Sequence, residues 1–270
     1  MKLKFSLREP MAPGRTIMER FENLAKMGFS GIEITSSSTP DKLEEILAAS
    51  KATGIVPNIF SLGGGAILDA RREERQIAID SLKASLEMCG AAGGVGVIVP
   101  PLIHVKMQNR PRIPDLSPLA GTSKLEFDLF VAIMKQEIVP VCEKTKACVI
   151  IEPLNRYEQW WPCTLAQGME ICEAVGSPWV VIMADFFHMN IEEANFAASI
   201  RQAGKWIRNV HLADSQRLLP GYGHTAFGEP LRALQEIGYN DYMGFECGIP
   251  GDPFVELPKS MDYLRSQLEG

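Results

Sequence analysis

Short apolar runs alternate with longer segments of helical periodicity from one end of the chain to the other. Each run has the length and composition of a strand that is buried on both faces of a parallel sheet. The predicted strands are LKFSL (3–7), GIEIT (31–35), VPNIFSL (56–62), GVGVIVPP (94–101), CVIIEP (148–153), VVIMAD (180–185), RNVHLAD (208–214) and YMGFEC (242–247). Eight strands that alternate with helices predict a closed (β/α)8 TIM barrel.

Glycines mark where several of the predicted helices end. Gly28, Gly54 and Gly238 each stand between an amphipathic segment and the next strand, where a helix commonly stops. An open doubly wound sheet is the alternative architecture, but no strand is followed by the GxGxxG spacing that usually accompanies it. We therefore expect a single barrel domain over residues 1–270, with an irregular loop at 101–123 that covers its mouth.

The ends of the last four predicted strands each carry one acid or base: Glu152, Asp185, His211 and Glu246. The intervals between them, 33, 26 and 35 residues, each fit one βα repeat of about 30 residues. Parallel strands of a barrel end at the same rim and point alternate side chains inward, so these four can converge. Three carboxylates this close would repel each other strongly, and a divalent cation is the simplest way to keep them ionised.

Each of these four residues also has an ordinary structural interpretation. An acid at a strand end often caps the next helix, and a single histidine is more often structural than a ligand. Their recurrence at four consecutive strand ends favours a metal site instead. An oxygen-rich set with one imidazole is typical of one Mn²⁺, Mg²⁺ or Co²⁺ ion, with Zn²⁺ also allowed and Mn²⁺ the leading candidate.

Composition narrows the range of partners. A net charge of -6, from 33 acidic and 27 basic residues, provides no extended basic surface, so we expect no nucleic-acid partner. No apolar stretch reaches the roughly 20 residues of a membrane span, and the first residues lack the core of a signal peptide, which predicts a cytoplasmic protein without membrane contact. The six cysteines form no CxxC pair and are expected to be reduced core residues.

Further polar residues follow the same strand ends in predicted loops. Glu158, His188 and Arg217 lie a few residues beyond Glu152, Asp185 and His211, on the face where barrel enzymes place their sites. Trp160 and Trp161 follow in the first of these loops. Their rings could pack against the C–H face of a sugar, although ordinary burial of one of them is an equal alternative.

Four segments together resemble the xylose-isomerase-like superfamily of sugar isomerases and epimerases, and most closely its ketose 3-epimerases. They are IEPLNRYE, MADFFHMNIEE, HLADSQRLLPGYGH and GFECG. The resemblance implies that the four strand-end residues bind the metal and that Glu152 and Glu246 are also the acid/base pair. It implies that Glu158, His188 and Arg217 contact a small sugar substrate near its carbonyl end. Assembly into a homo-oligomer is left open.

The residue types fit the implied reaction, inversion of C3 of a ketose through a cis-enediolate. A metal that binds the ketone oxygen would make the neighbouring C–H removable, and two carboxylates on opposite faces would take and return the proton. A single base that returned the proton to the adjacent carbon would give an aldose-ketose isomerase, as in hydroxypyruvate isomerases. Expulsion of a hydroxyl would give an inosose-type dehydratase, and a sugar-binding protein would need neither the metal nor the paired carboxylates.

Overall fold

The computed structural model describes residues 3–35, 42–113 and 122–269 and shows a closed parallel barrel whose strands follow one another in sequence order. The strands are β1 (Lys4–Arg8), β2 (Gly31–Ile34), β3 (Val56–Ser61), β4 (Gly96–Val99), β5 (Cys148–Ile151), β6 (Val180–Asp185), β7 (Ile207–Leu212) and β8 (Tyr242–Phe245). Pairing of β1 with β8 closes the barrel. The predicted fold is therefore confirmed, with both ends of each strand within two residues of the expected bounds.

Helices surround the barrel and bury one face against it. They are α1 (Ile17–Met27), α2 (Leu43–Thr53), α3 (Arg72–Ala91), α4 (Ile103–Met107), α5 (Thr122–Ile133), α6 (Val139–Thr145), α7 (Leu165–Val175), α8 (Phe186–Glu192), α9 (Phe196–Ala203), α10 (Gly228–Glu236) and α11 (Pro253–Glu269). A π-helical turn at Met134–Ile138 joins α5 to α6. The main hydrophobic core lies between these helices and the outer face of the strands.

Glycine ends the helices where the sequence indicated. Gly28 and Gly54 adopt left-handed conformations, with φ of 85° and 77°, at the C-caps of α1 and α2, and Gly238 (φ 75°) follows α10. Residues that have a β-carbon rarely adopt these backbone conformations, whereas glycine adopts them at little cost and lets the chain turn there. Each turn sends the chain back toward the start of the next strand.

The barrel interior has an apolar and a polar side. Ile59, Ile98, Cys148, Ile150, Val181 and Met183 form a separate cluster inside the barrel. On the opposite side, Ser6, Glu33 and Asn209 are fully or almost fully buried. Asn209 donates to Glu33 over 3.5 Å. The polar side lies beneath the ends of β7 and β8 and so supports part of the mouth.

One prediction about the mouth needs correction. The segment 101–123 was expected to be irregular, but residues 103–107 form the short helix α4 and α5 begins at Thr122. Side chains of Ile103 and His104 line the central cavity, so this segment does cover the mouth. Residues 114–121 of the predicted loop lie outside the described residues. Within the described ranges, no helix is both long and apolar enough to cross a membrane.

Candidate active site

Each strand places one side chain at the carboxyl-end rim, two positions beyond a residue that points into the barrel. From β1 to β8 these rim residues are Arg8, Thr35, Ser61, Pro100, Glu152, Asp185, His211 and Glu246. The four candidate metal ligands thus occupy the rim positions of β5 to β8 in succession. The structure brings all four together: one ligand atom from each lies within 4.8 Å of the ligand atoms of the other three.

The position of Asp185 at a strand end suggested either a helix cap or a metal ligand, and its carboxylate is placed for both. Its Oδ1 caps helix α8 by accepting hydrogen bonds from the backbone N–H groups of Phe187 (2.8 Å) and His188 (3.2 Å). Its other oxygen, Oδ2, lies 3.4 Å from His211 Nδ1. Capping therefore fixes the Asp185 carboxylate and leaves its second oxygen directed at His211.

The His211 imidazole lies at the centre of the carboxylates. Its Nδ1 is 3.3 Å from Glu246 Oε2 and 3.7 Å from Glu152 Oε1. This nitrogen is buried, yet it has no hydrogen-bond partner among the described residues. A buried polar atom without a partner is costly, which indicates that a group absent from the protein chain satisfies it.

A divalent cation fits this arrangement of donors. Ligand atoms about 2.1 Å from one ion lie about 3.0 to 3.4 Å from each other, depending on the coordination geometry. The separations of 3.3, 3.4 and 3.7 Å from His211 Nδ1 to the three carboxylates are close to that range. The four ligand atoms, all within 4.8 Å of one another, could therefore converge on one ion.

The electrostatics of the group also favour a cation. Burial alone would lower the pKa of His211, but the nearby carboxylates, Glu33 foremost among them, raise this pKa well above its ordinary value. Burial alone would raise the pKa of Asp185, but His188 and His211 hold it well below its usual range. The site therefore keeps its carboxylate ionised and attracts positive charge to His211, where a proton and a metal ion compete.

A cavity of about 270 Å³ opens above the four residues. Its lining residues are Arg8, Thr35, Ser61, Leu62, Ile98, Pro100, Ile103, His104, Glu152, Leu154, Glu158, His188, His211, Arg217 and Glu246. The lining combines charged and hydrogen-bonding groups with aliphatic side chains. A cavity of this size and composition suits a small polyhydroxylated molecule rather than a polymer.

Arg217 links two acids of the cavity lining, Glu158 and Glu246. Its guanidinium donates to Glu158 Oε1 over 3.1 Å and to Glu246 Oε2 over 3.0 Å, and it lies over the ring of Phe187. The backbone of Arg217 has a φ of 60°, and its N–H and C=O are bonded to Asp214 and Gly248. The loop therefore holds the guanidinium firmly beside the cavity.

His188 also lines the cavity, and its Nε2 lies 3.7 Å from Oδ2 of Asp185. Its Nδ1 accepts from the backbone N–H of Asn155 over 3.2 Å and lies 2.8 Å from the side-chain amide of that residue. In a neutral ring the proton is then on Nε2, which is buried and has no hydrogen-bond partner among the described residues. Asn155 also donates to Glu158, so these predicted substrate-binding residues form one connected network with Arg217.

Sequence analysis missed several residues of the site. Arg8, at the end of β1, contacts Glu246, and Glu33, on β2, lies 2.9 Å from His211. A charged residue inside the apolar run GIEIT was a usable signal for Glu33, because a buried carboxylate needs a partner. Trp160 and Trp161 do not line the cavity: Trp160 donates to Glu126 and Trp161 is buried. All six cysteines are free, as expected, but Cys163 and Cys247 are only partly buried.

The chain belongs to the xylose isomerase-like TIM barrel family, whose model matches residues 21–267. 3-Dehydro-D-guloside 4-epimerase of Escherichia coli (strain K12) is 32% identical over 253 residues, covering 93% of this chain and 94% of the relative. D-psicose 3-epimerase of Ruminiclostridium cellulolyticum is 27% identical over 250 residues, covering 87% and 78%. The apo structure of 3-keto-D-glucoside 4-epimerase from E. coli superposes with a TM-score of 0.85 at 29% identity, covering 98% of this chain and 100% of that one.

These relatives are named as epimerases, which are isomerases that act on carbohydrates. The family and the enzyme class predicted from the sequence are confirmed. The position of the inverted carbon differs among the relatives, since one name specifies C4 and another C3.

Proposed function

We propose that this protein is a divalent-metal-dependent epimerase that inverts a carbon next to the ketone of a small sugar. The metal is held by Glu152, Asp185, His211 and Glu246, with Mn²⁺ as the leading ion. The observation that carries the proposal is the buried, unpaired Nδ1 of His211 among three carboxylates, at the floor of a cavity of suitable size. When bound, the ion supplies a Lewis acid that stabilises negative charge on the ketone oxygen.

Glu152 and Glu246 are the proposed acid/base pair. They extend from β5 and β8, which are separated by two strands in the barrel, so they reach a substrate in the cavity from different sides. One carboxylate removes the proton from the carbon next to the ketone, and the other donates a proton to the opposite face. One C–H bond breaks and one forms, so the reaction needs no oxidant or reductant.

The remaining polar groups orient the sugar. Arg217 is positioned by its loop to donate to a substrate oxygen next to Glu246, and the unpaired Nε2–H of His188, a residue of the cavity lining, is a second donor. Glu158 accepts from Arg217 and Asn155 and can also accept from a sugar hydroxyl. Together they would select a molecule with oxygens on consecutive carbons.

Two positions of the ketone are compatible with this chemistry. The first is C2 of a free ketose, in which C3 is inverted, as the sequence predicted. The second moves the same steps by one carbon, so that C4 of a 3-keto sugar is inverted. The match to 3-dehydro-D-guloside 4-epimerase over nearly the whole of both chains favours this second candidate.

A deuterium-exchange experiment tests the proposal. Metal-loaded protein is incubated in D2O with D-fructose, D-tagatose, D-psicose and methyl 3-keto-glucosides, and NMR locates the deuterium. We expect the epimer to form with deuterium at the carbon next to the ketone, C3 or C4 according to substrate. Deuterium at the aldehyde-forming carbon would indicate an isomerase, and loss of water from the product would indicate a dehydratase.

Control samples separate metal-dependent catalysis from background exchange. Chelation should abolish the reaction, and Mn²⁺ or Co²⁺ should restore it. Glu126→Gln changes a fully buried glutamate that lines no part of the cavity, so this variant should retain activity. Full activity in a metal-free sample would contradict the proposed function. A cytoplasmic location and one domain over 1–270 belong to the same proposal, and assembly into a homo-oligomer stays open.

A further inference from the structure

Glu33 is a buried carboxylate to which the proposed reaction gives no role. It is 1% exposed and lies inside the barrel, beneath the rim residues. Its side chain does not line the cavity, so a substrate bound there would not reach it. Its Oε2 lies 2.9 Å from Nε2 of His211, which is the ring nitrogen that faces away from the three rim carboxylates.

The contact with Glu33 determines which nitrogen of a neutral His211 carries the proton. Where Glu33 is the acceptor of this 2.9 Å contact, Nε2 is the donor and carries the ring proton. If the proton were on Nδ1 instead, the lone pairs of Nε2 and Oε2 would face each other. With the proton on Nε2, the lone pair of Nδ1 is directed at Glu152, Asp185 and Glu246, where it can bind a cation.

We propose that Glu33 is a positioning residue of the metal centre: it holds His211 in the tautomer and orientation in which Nδ1 binds the ion, and so sets the metal affinity. Carboxylates that accept from the second nitrogen of a ligating histidine act in this way in many metal sites. The inference rests on the proposed metal centre but not on the identity of the reaction.

The surrounding residues hold Glu33 in place. Asn209 Nδ2 donates to Oε1 of Glu33 over 3.5 Å. On the other side, Gly244 leaves the space that the carboxylate occupies: a β-carbon there would lie 2.1 Å from Glu33 Oε1 and 3.2 Å from Ser6 Oγ. Gly244 is also the residue that pairs with His211 across β7 and β8. A β-carbon at this position would therefore displace the Glu33 carboxylate from its place beside His211.

The first test replaces the charge but keeps the size. In Glu33→Gln, the amide oxygen can still accept from Nε2, but more weakly, and the amide group can also turn and favour the wrong tautomer. We expect the Kd for Co²⁺, measured by calorimetry, to rise by about 10- to 100-fold. The visible absorption bands of bound Co²⁺ should shift as the imidazole moves. Glu126→Gln is the matched control, since Glu126 is equally buried, and its Kd and spectrum should stay at the parent values.

A second variant tests the geometry without changing any titratable group. Gly244→Ala would push the Glu33 carboxylate away from His211, so it should raise the Kd for Co²⁺ in the same direction and shift the spectrum. Gly168→Ala is its control, because a β-carbon at Gly168 would lie 2.9 Å from Ile182 Cγ2 on the outer side of the barrel. It should reduce stability while leaving the metal affinity unchanged.

The proposal is overturned if folded Glu33→Gln and folded Gly244→Ala both bind Co²⁺ within about twofold of the parent. It is also overturned if the parent protein binds no divalent ion. These titrations contain no sugar, so they give an answer whether or not the protein epimerises any substrate. A parent that binds Co²⁺ tightly but epimerises nothing contradicts the proposed function, while the ratio of variant to parent Kd still decides the role of Glu33.

Discussion

Strands β1 to β4 carry Arg8, Thr35, Ser61 and Pro100 at their rim positions, whereas β5 to β8 carry Glu152, Asp185, His211 and Glu246. Both halves consist of parallel strands of one barrel and end at the same cavity. The first half contributes hydroxyls, aliphatic surface, one guanidinium and the imidazole of His104, and the second contributes every residue of the candidate metal site. The barrel alone therefore does not determine the chemistry, which depends on the side chain at one position of each strand.

The rim positions of β5 to β8 are called the second-half rim. Two buried acids outside it show how a structural carboxylate differs from a carboxylate of the candidate metal site. Asp69, after β3, is fully buried and bonded to Arg71 and Arg110, and Glu126 is fully buried and bonded to Arg112. Among the described residues, Glu152 and Asp185 form no salt bridge with arginine or lysine. Burial is common to both groups. For Glu152 and Asp185, the absence of an arginine or lysine partner indicates a site for a bound cation, whereas Glu246 is already paired with Arg8 and Arg217.

The largest expected effect of a substitution is at the acid/base pair. Glu152→Gln and Glu246→Gln should each lower kcat by about 10²- to 10⁴-fold, because a proton carrier is lost while an oxygen donor remains. One of the two variants should still exchange the substrate C–H with D2O without inverting the carbon. The parallel change in the first half, Ser61→Ala, should alter kcat only a few-fold. If both glutamine variants epimerise at near the parent rate, these residues are not the acid and base.

Arg217→Ala should have the next largest effect. The loss of a charged donor beside the substrate should lower kcat/KM by about 10- to 150-fold, equivalent to about 1.5 to 3 kcal/mol. Metal content, measured by elemental analysis, should remain near one ion per chain. Arg201→Ala removes an exposed arginine that pairs with Glu236, and it should change neither quantity. Loss of metal from Arg217→Ala would instead place this residue in the metal centre.

Asp69, the buried structural acid that follows β3, should affect the stability of the fold but not the metal affinity. Hydrogen bonds from Arg71 lower the pKa of Asp69 from 3.8 to about 2. Because the folded-state pKa is depressed, the stabilisation is complete above about pH 4 and is lost as the pH falls through about 2. Asp69→Asn should lower the free energy of unfolding at pH 7 by about 1 to 3 kcal/mol.

Urea unfolding at several pH values checks this prediction. The difference between Asp69→Asn and the parent should narrow between about pH 4 and pH 2, while the metal affinity of the variant at pH 7 stays at the parent value. Asp128→Asn, which removes half of an exposed ion pair with Lys124, is the control and should change stability by less than about 0.5 kcal/mol. A difference that does not depend on pH would contradict the assigned role of the Asp69 charge.

The smallest effect separates the two functions of Asp185. Asparagine is as good an N-cap as aspartate, so Asp185→Asn should retain the cap of α8 but weaken metal binding. Asp185→Ala should lose both, and its free energy of unfolding without metal should be lower than that of Asp185→Asn by about 1 kcal/mol. Equal stability of the two metal-free variants would show that the cap contributes nothing.

Sequence periodicity was sufficient for the barrel and for the second-half rim. Glu152, Asp185, His211 and Glu246 end consecutive apolar runs, and parallel strands must bring such ends together. The sequence did not show that Glu33 contacts His211, because the two residues are 178 positions apart and meet only after β1 and β8 close the barrel. Arg8 was missed for the same reason. Helix α4 was missed because a five-residue helix without a side-chain cap has no clear sequence signal.

The packing of the two tryptophans also could not be predicted. Trp160 contacts Arg112 and Glu126, which come from a different part of the chain, and this contact turns its ring away from the cavity. The sequence places a side chain in a loop but does not specify which neighbour it packs against.

An anomalous difference map from crystals soaked in Mn²⁺ would locate the metal centre. We expect one strong peak per chain, about 2.0 to 2.3 Å from an oxygen of Glu152, Oδ2 of Asp185, Nδ1 of His211 and an oxygen of Glu246. Nε2 of His211 should remain bonded to Glu33. A peak elsewhere on the chain, or no peak at saturating Mn²⁺, would contradict the assignment of the second-half rim as a metal centre.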